Sequence, residues 1–143
     1  MMATRASGAR LLHPPLVAAG ASLLIAAFVT DYMYYSTSLV QWANFSAWLI
    51  TGGLVVALAA AIFLLIDVLL GHTGRLHRVE FAGLVIVAVL SIANVLIHSR
   101  DAWTSVVPQG ITISAIVTAL LLIMGFRGWR VTEARVPAPG GRQ

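Results

Sequence analysis

The chain has no cysteine and no lysine, and only 10% of its 143 residues are charged. The missing cysteine excludes disulfides, thiolate metal centres, cysteine nucleophiles and C-x-x-C-H haem attachment, and it leaves the redox compartment unmarked. The scarcity of charge excludes an ordinary soluble domain, in which about a quarter of residues are charged. No glycine-rich phosphate loop, H-E-x-x-H helix or nucleophile elbow is present, so the chain is expected not to be an enzyme and no metal site is expected. Nine basic residues against five acidic ones give a net charge of +4 and a pI of about 10.7. Nucleic acid is still not an expected partner, because the arginines stand outside the apolar blocks without interleaved aromatics.

What is present is hydrophobic: 59% of residues, with a mean hydropathy of +0.92. The apolar residues gather into blocks long enough to cross a bilayer, which takes about 20 residues per helix. Residues 16–35, 45–70, 79–98 and 110–126 read as four spans inside a domain over 14–130. A short basic tail, 1–13, precedes it, and 131–143, ending PAPGGRQ, reads as a disordered tail. Pro14 and Pro15 suit a first helical turn, where an absent N–H has no intrahelical partner to lose. Ser36–Asn44, Gly71–Arg75 and Ser99–Gln109 read as the connections. Each block is apolar on all sides rather than alternating, which predicts helices and not a membrane barrel. A basic start before an apolar run also describes a signal peptide, but no good A-x-A cleavage site precedes the Asp31-Tyr32 region and the run continues into the tyrosines at 32, 34 and 35. The fold expected is all-α: an integral membrane four-helix bundle with antiparallel up-and-down topology.

Orientation follows from charge. Four spans place Arg5, Arg10, Arg75, Arg78, Arg127, Arg130, Arg135 and Arg142 on one side and Arg100 alone on the other. The positive-inside rule then puts both termini in the cytoplasm of a bacterial inner membrane. Tyr32, Tyr34, Tyr35, Trp42, Trp48 and Trp103 fall near the outer interface, as lipid anchors do.

Ionisable groups inside a bilayer are unfavourable and persist when paired or useful. Glu80, Ser91, Asn94 and His98 recur at spacings of 11, 3 and 4. At about 100° per residue they share an arc of roughly 60°, a polar stripe predicted to face the bundle interior. By depth, Asp67 is expected near Glu80 and His77, and Asp31 near His98 and Arg100. These residues make up the expected intramembrane polar network. Small residues at Ala18, Ser22 and Ala26, and at Gly52, Gly53, Ala57, Ala60 and Ala61, predict packing seams. His13 and His77 are candidate ligands of a haem b held between facing helices, though both also suit helix entrances.

The order His13-Pro14-Pro15-Leu16-Val17, Asp31, Trp48-Leu49-Ile50 with Gly52-Gly53-Leu54, Ile66-Asp67, His77, Asn94, Arg100 and Gly125-Phe126-Arg127-Gly128-Trp129 resembles a bacterial four-span membrane family, domain of unknown function 2231. The resemblance covers about Leu12 to Val136. Leu65-Ile66 stands where the family commonly has a glycine before the aspartate, and the closing GFRGWRVTEARV lacks the family's Tyr-Arg-His. The resemblance implies a companion of redox proteins. The function expected is a non-enzymatic membrane subunit that anchors or assembles with partner proteins or with itself. A haem b electron carrier and a small proton-coupled transporter are the alternatives.

Overall fold

The computed structural model describes residues 11, 13–100, 106–129 and 131–134. Four helices carry the chain: α1 (His13–Thr37), α2 (Val40–Leu69), α3 (Arg78–His98) and α4 (Gln109–Phe126). All four are long and apolar enough to cross a membrane, the setting in which a backbone must bond within its own helix. The connection between α1 and α2 is Ser38-Leu39 alone, much shorter than the expected Ser36–Asn44. Polar residues there extend the helices instead of breaking them. Ser36 and Thr37 donate their hydroxyls to the Met33 carbonyl (3.1 and 2.6 Å), and the reversal falls on Ser38 at a left-handed φ of 55°. At the end of α2, Gly71 takes φ 69°, the position where a helix terminus favours glycine, and the His72 N–H returns to the Asp67 carbonyl at 2.9 Å.

α1 packs against α2 and α4, and α3 closes the bundle by packing against α4 and α2. The core runs through Ala21, Leu24, Ala27, Ile50, Val87, Val117 and Leu121. Where α1 crosses α2 the backbones come close: a Cβ on Gly53 would lie 2.8 Å from Leu24 Cγ and 3.3 Å from the Gly20 carbonyl oxygen. The α1 seam is therefore Gly20, Ala21, Leu24 and Ala27, turned away from the expected Ala18, Ser22 and Ala26. Ser22 is exposed and donates to the Ala18 carbonyl. The outward faces are apolar, from Trp48 and Leu58 on α2 to Val89 on α3 and Phe126 on α4.

Two short strands, β1 (Thr73–Leu76) and β2 (Thr132–Ala134), pair antiparallel with Thr73 opposite Ala134 and Leu76 opposite Thr132. This corrects the expectation that 131–143 is a disordered tail from its first residue. The loop after α2 exposes backbone groups that need partners, and the chain leaving α4 supplies them. The His77 N–H also donates to the Val131 carbonyl at 2.8 Å, and Val131 and Thr132 are buried. Arg5, Arg10, Arg130, Arg135, Arg142 and Trp103, named in the orientation argument, lie outside the described residues.

Candidate functional site

Asp31, on the inward face of α1 and fully buried, receives a group from each of the other three helices. Ser46 of α2 sits between the Asp31 carboxylate and the Ala27 carbonyl. His98, the last residue of α3, places Nε2 2.8 Å from Asp31 Oδ1. Ser114 of α4 donates to Asp31 Oδ2 at 2.5 Å. A buried carboxylate is tolerated where its oxygens are hydrogen-bonded and its charge is matched, and here the matching groups are what draw four helices to one point.

Counting hydrogens fixes the chemistry of this knot. His98 Nδ1 faces the Asn94 carbonyl oxygen at 2.9 Å; a carbonyl only accepts, so Nδ1 carries a hydrogen. Between Nε2 and Asp31 there must then be one more, so the pair is imidazolium with carboxylate or imidazole with carboxylic acid. Either way one hydrogen lies between the two groups and the pair carries no net charge. Ser114 uses its single hydrogen on Asp31 and therefore accepts from Asn94 Nδ2 at 2.7 Å. That orients the amide and leaves Asn94 Oδ1 without a partner. Ser91 Oγ and Thr118 Oγ1, one turn deeper on α3 and α4, are also buried and unpartnered. The expected polar stripe thus faces inward along its length, with Ser91, Asn94 and His98 buried and Glu80 partly so.

The other end of the bundle holds a second buried pair. His13 opens α1 and Asp67 lies in the last turn of α2, with His13 Nδ1 2.8 Å from Asp67 Oδ2. His72 approaches the other oxygen, Oδ1, at 3.8 Å, and Thr132 Oγ1 lies 3.3 Å from His13 Nε2. Sequence depth grouped Asp67 with Glu80 and His77; the histidine that meets Asp67 at hydrogen-bond distance is His13, brought by the pairing of α1 with α2. Glu80 instead forms an ion pair with Arg127 at 2.7 Å, tying α3 to the end of α4. Arg100 is exposed at the Asp31 end, and no hydrogen bond joins it to Asp31 among the described residues.

Beside His13 a cavity of about 210 Å³ opens between α1, α2 and α3, lined by apolar groups such as Val17, Leu64, Phe81 and Leu84. For haem ligation a ring nitrogen has to face iron. Both nitrogens of His13 lie against protein oxygens, while His77 occupies the position just before α3. Among the described residues no group of three or more His, Asp or Glu side chains is assembled to hold a metal ion. Neither Ser46 nor Ser114 has a place in the network expected from the sequence. A lone serine on a helix carries no signal until its neighbour is known.

A family model described as predicted membrane protein, of unknown function, matches residues 10–136. No curated protein and no solved structure matches the chain.

Proposed function

Because the chain belongs to the family of predicted membrane proteins termed domain of unknown function 2231, we propose that it works as a non-enzymatic, multi-pass subunit of the bacterial cytoplasmic membrane. It anchors or assembles with partner membrane proteins, or with further copies of itself, and redox proteins are the expected companions. In this reading the four spans run up and down in antiparallel order with both termini in the cytoplasm. Arg75, Arg78 and Arg127 lie towards the Asp67 end and Arg100 at the Asp31 end, an asymmetry that supports this orientation.

The observation that carries the reading is the Asp31 knot. Its carboxylate, imidazole and hydroxyls are buried and engaged with one another. His98 also lines an open cavity beside Arg100, but its ring nitrogens are spent on Asp31 and the Asn94 carbonyl, whereas a catalytic constellation aims free reactive groups at a cavity that admits substrate. The polar interior is used to hold helices in place, and the apolar outward faces of α2 and α3 remain for lipid or neighbouring spans. Affinity purification from native membranes in mild detergent, after cross-linking, tests it. A reproducible partner or a defined oligomer is the expected result; a lone monomer overturns the reading.

One observation favours the transporter as a second reading. The proton-holding pair Asp31–His98 continues through Asn94 and Ser114 to the unpartnered oxygens of Ser91 and Thr118. If this row conducts, Asp31→Asn abolishes proton flux in proteoliposomes, and unchanged flux removes the idea. The haem b alternative with His13 and His77 is the one this geometry supports least. Purified protein is expected to show no Soret absorbance, and a Soret band lost in His13→Ala would reinstate it.

A further inference from the structure

At the Asp67 end an open concavity of about 750 Å³ is lined by Arg75, His77, Arg78, Glu80 and Arg127. Among the described residues three arginines face one glutamate, and that glutamate is already paired with Arg127. Arg75 and Arg78 are exposed and have no acidic partner among the described residues. Their location makes this imbalance worse. Arg78 is the first residue of α3, and the preceding His77 provides no side-chain cap. The first-turn N–H groups, which have no intrahelical acceptors, are thus left without a side-chain cap, and the positive pole of the helix dipole, met in the first turn by Glu80 alone, lies beside Arg78. An anion seated there relieves both the repulsion and the orphaned donors.

The rim says which anion. Val79 in its lining is exposed, and so are Leu69 and Leu70 at the end of α2 and Phe126, next to Arg127 at the end of α4, Phe126 at 92%. These side chains mark the level at which acyl chains end and headgroups begin, so an occupant with its own tail can lie along them. Beneath it β1 carries Arg75 and is paired with β2, and the His77 N–H is bonded to Val131. We propose that the Arg75–Arg78–Arg127 concavity binds the phosphate of an anionic phospholipid, with its acyl chains against the exposed apolar ends of α2, α3 and α4. The site is independent of which leaflet it faces, and of whether the protein serves as a subunit or a transporter.

Titration of the full-length protein in neutral detergent with phosphatidylglycerol or phosphatidylcholine, read by native mass spectrometry and thermal unfolding, tests this. Phosphatidylglycerol is expected to bind preferentially and raise the unfolding temperature. The double variant Arg75→Gln with Arg78→Gln is expected to weaken that binding roughly thirty-fold, from the typical contribution of two arginines near an anionic surface. Arg100→Gln, at the opposite end, is expected to leave it unchanged. Added salt removes the preference in the unmodified chain, an independent check that needs no variant. Equal binding of the two lipids, or full affinity in the double variant, overturns the proposal. Saturation by inorganic phosphate reassigns the site to a soluble anion, and competition by a polyglutamate peptide reassigns it to an acidic protein segment; each overturns the lipid.

Discussion

The two ends of the bundle are built on the same pair of residues and use it differently. At one end His98 meets Asp31, at the other His13 meets Asp67, both at 2.8 Å and both buried. Around Asp31 the remaining hydrogen bonds come from serines on two further helices, so the pair is held by four helices, with His98 also lining an open cavity. Around Asp67 the neighbours are His72 in the loop after α2 and Thr132 in β2, with an apolar cavity on one flank. A carboxylate–histidine pair is therefore not itself a function. Held by helices it acts as a clasp; held by a loop and a ribbon it is a joint that can adapt.

Substitutions can break this contrast. The largest effect expected is from Asp31→Ala, which strands His98, Ser46 and Ser114 together and should lower stability by about 3–5 kcal/mol, read as a shifted SDS- or urea-unfolding midpoint in micelles. Asp67→Ala is expected to lose less, about 1.5–3 kcal/mol, because a loop and a short ribbon can rearrange around His13. A loss equal to or above that of Asp31→Ala would erase the distinction.

The same logic applies to close packing. Gly53→Ala drives a Cβ to 2.8 Å from Leu24 Cγ and 3.3 Å from a backbone oxygen, and should destabilise by about 1–3 kcal/mol. Gly83→Ala meets only the Met124 thioether, at 2.9 Å. That flexible side chain can move aside, so less than about 1 kcal/mol is expected; thermal unfolding of the two variants side by side decides. The smallest effect is of opposite sign. Thr118→Val removes a buried hydroxyl that has no partner and should stabilise by about 0.5 kcal/mol, since an unsatisfied polar group is unfavourable. A clear loss of stability instead would mean that the hydroxyl is bonded, through water, to its surroundings.

Much of this was legible before any fold was seen, where one signal governs one element. The four apolar blocks mark the helices because lipid leaves the backbone no other choice. The 11, 3 and 4 spacing of Glu80, Ser91, Asn94 and His98 gave the inward face of α3, since a helix imposes its own period. Depth placed Asp31 level with His98 and Arg100, and of these two it is His98 that meets it. The illegible parts depend on neighbours across helices. Depth assigned Asp67 to Glu80 and His77, where the pairing of α1 with α2 brings His13, and the rotation of α1 about its axis, which buries Gly20 and exposes Ser22, is settled by the close approach at Gly53. Strands of four and three residues are too short for periodicity to register, so the residues after α4 read as a tail.

That ribbon has a consequence for how the protein is made. His13 stands at the head of the first helix, yet the hydroxyl beside its ring belongs to Thr132, 119 residues later. A ribosome delivers the two far apart in time. Asp67 can reach His13 as soon as the second segment has left the translocon, but the cover over that imidazole arrives only after the fourth segment has been translated. Assembly at this end is a closing act, and a nascent chain stalled after its fourth segment would present an unfinished edge to the proteases that police membrane insertion.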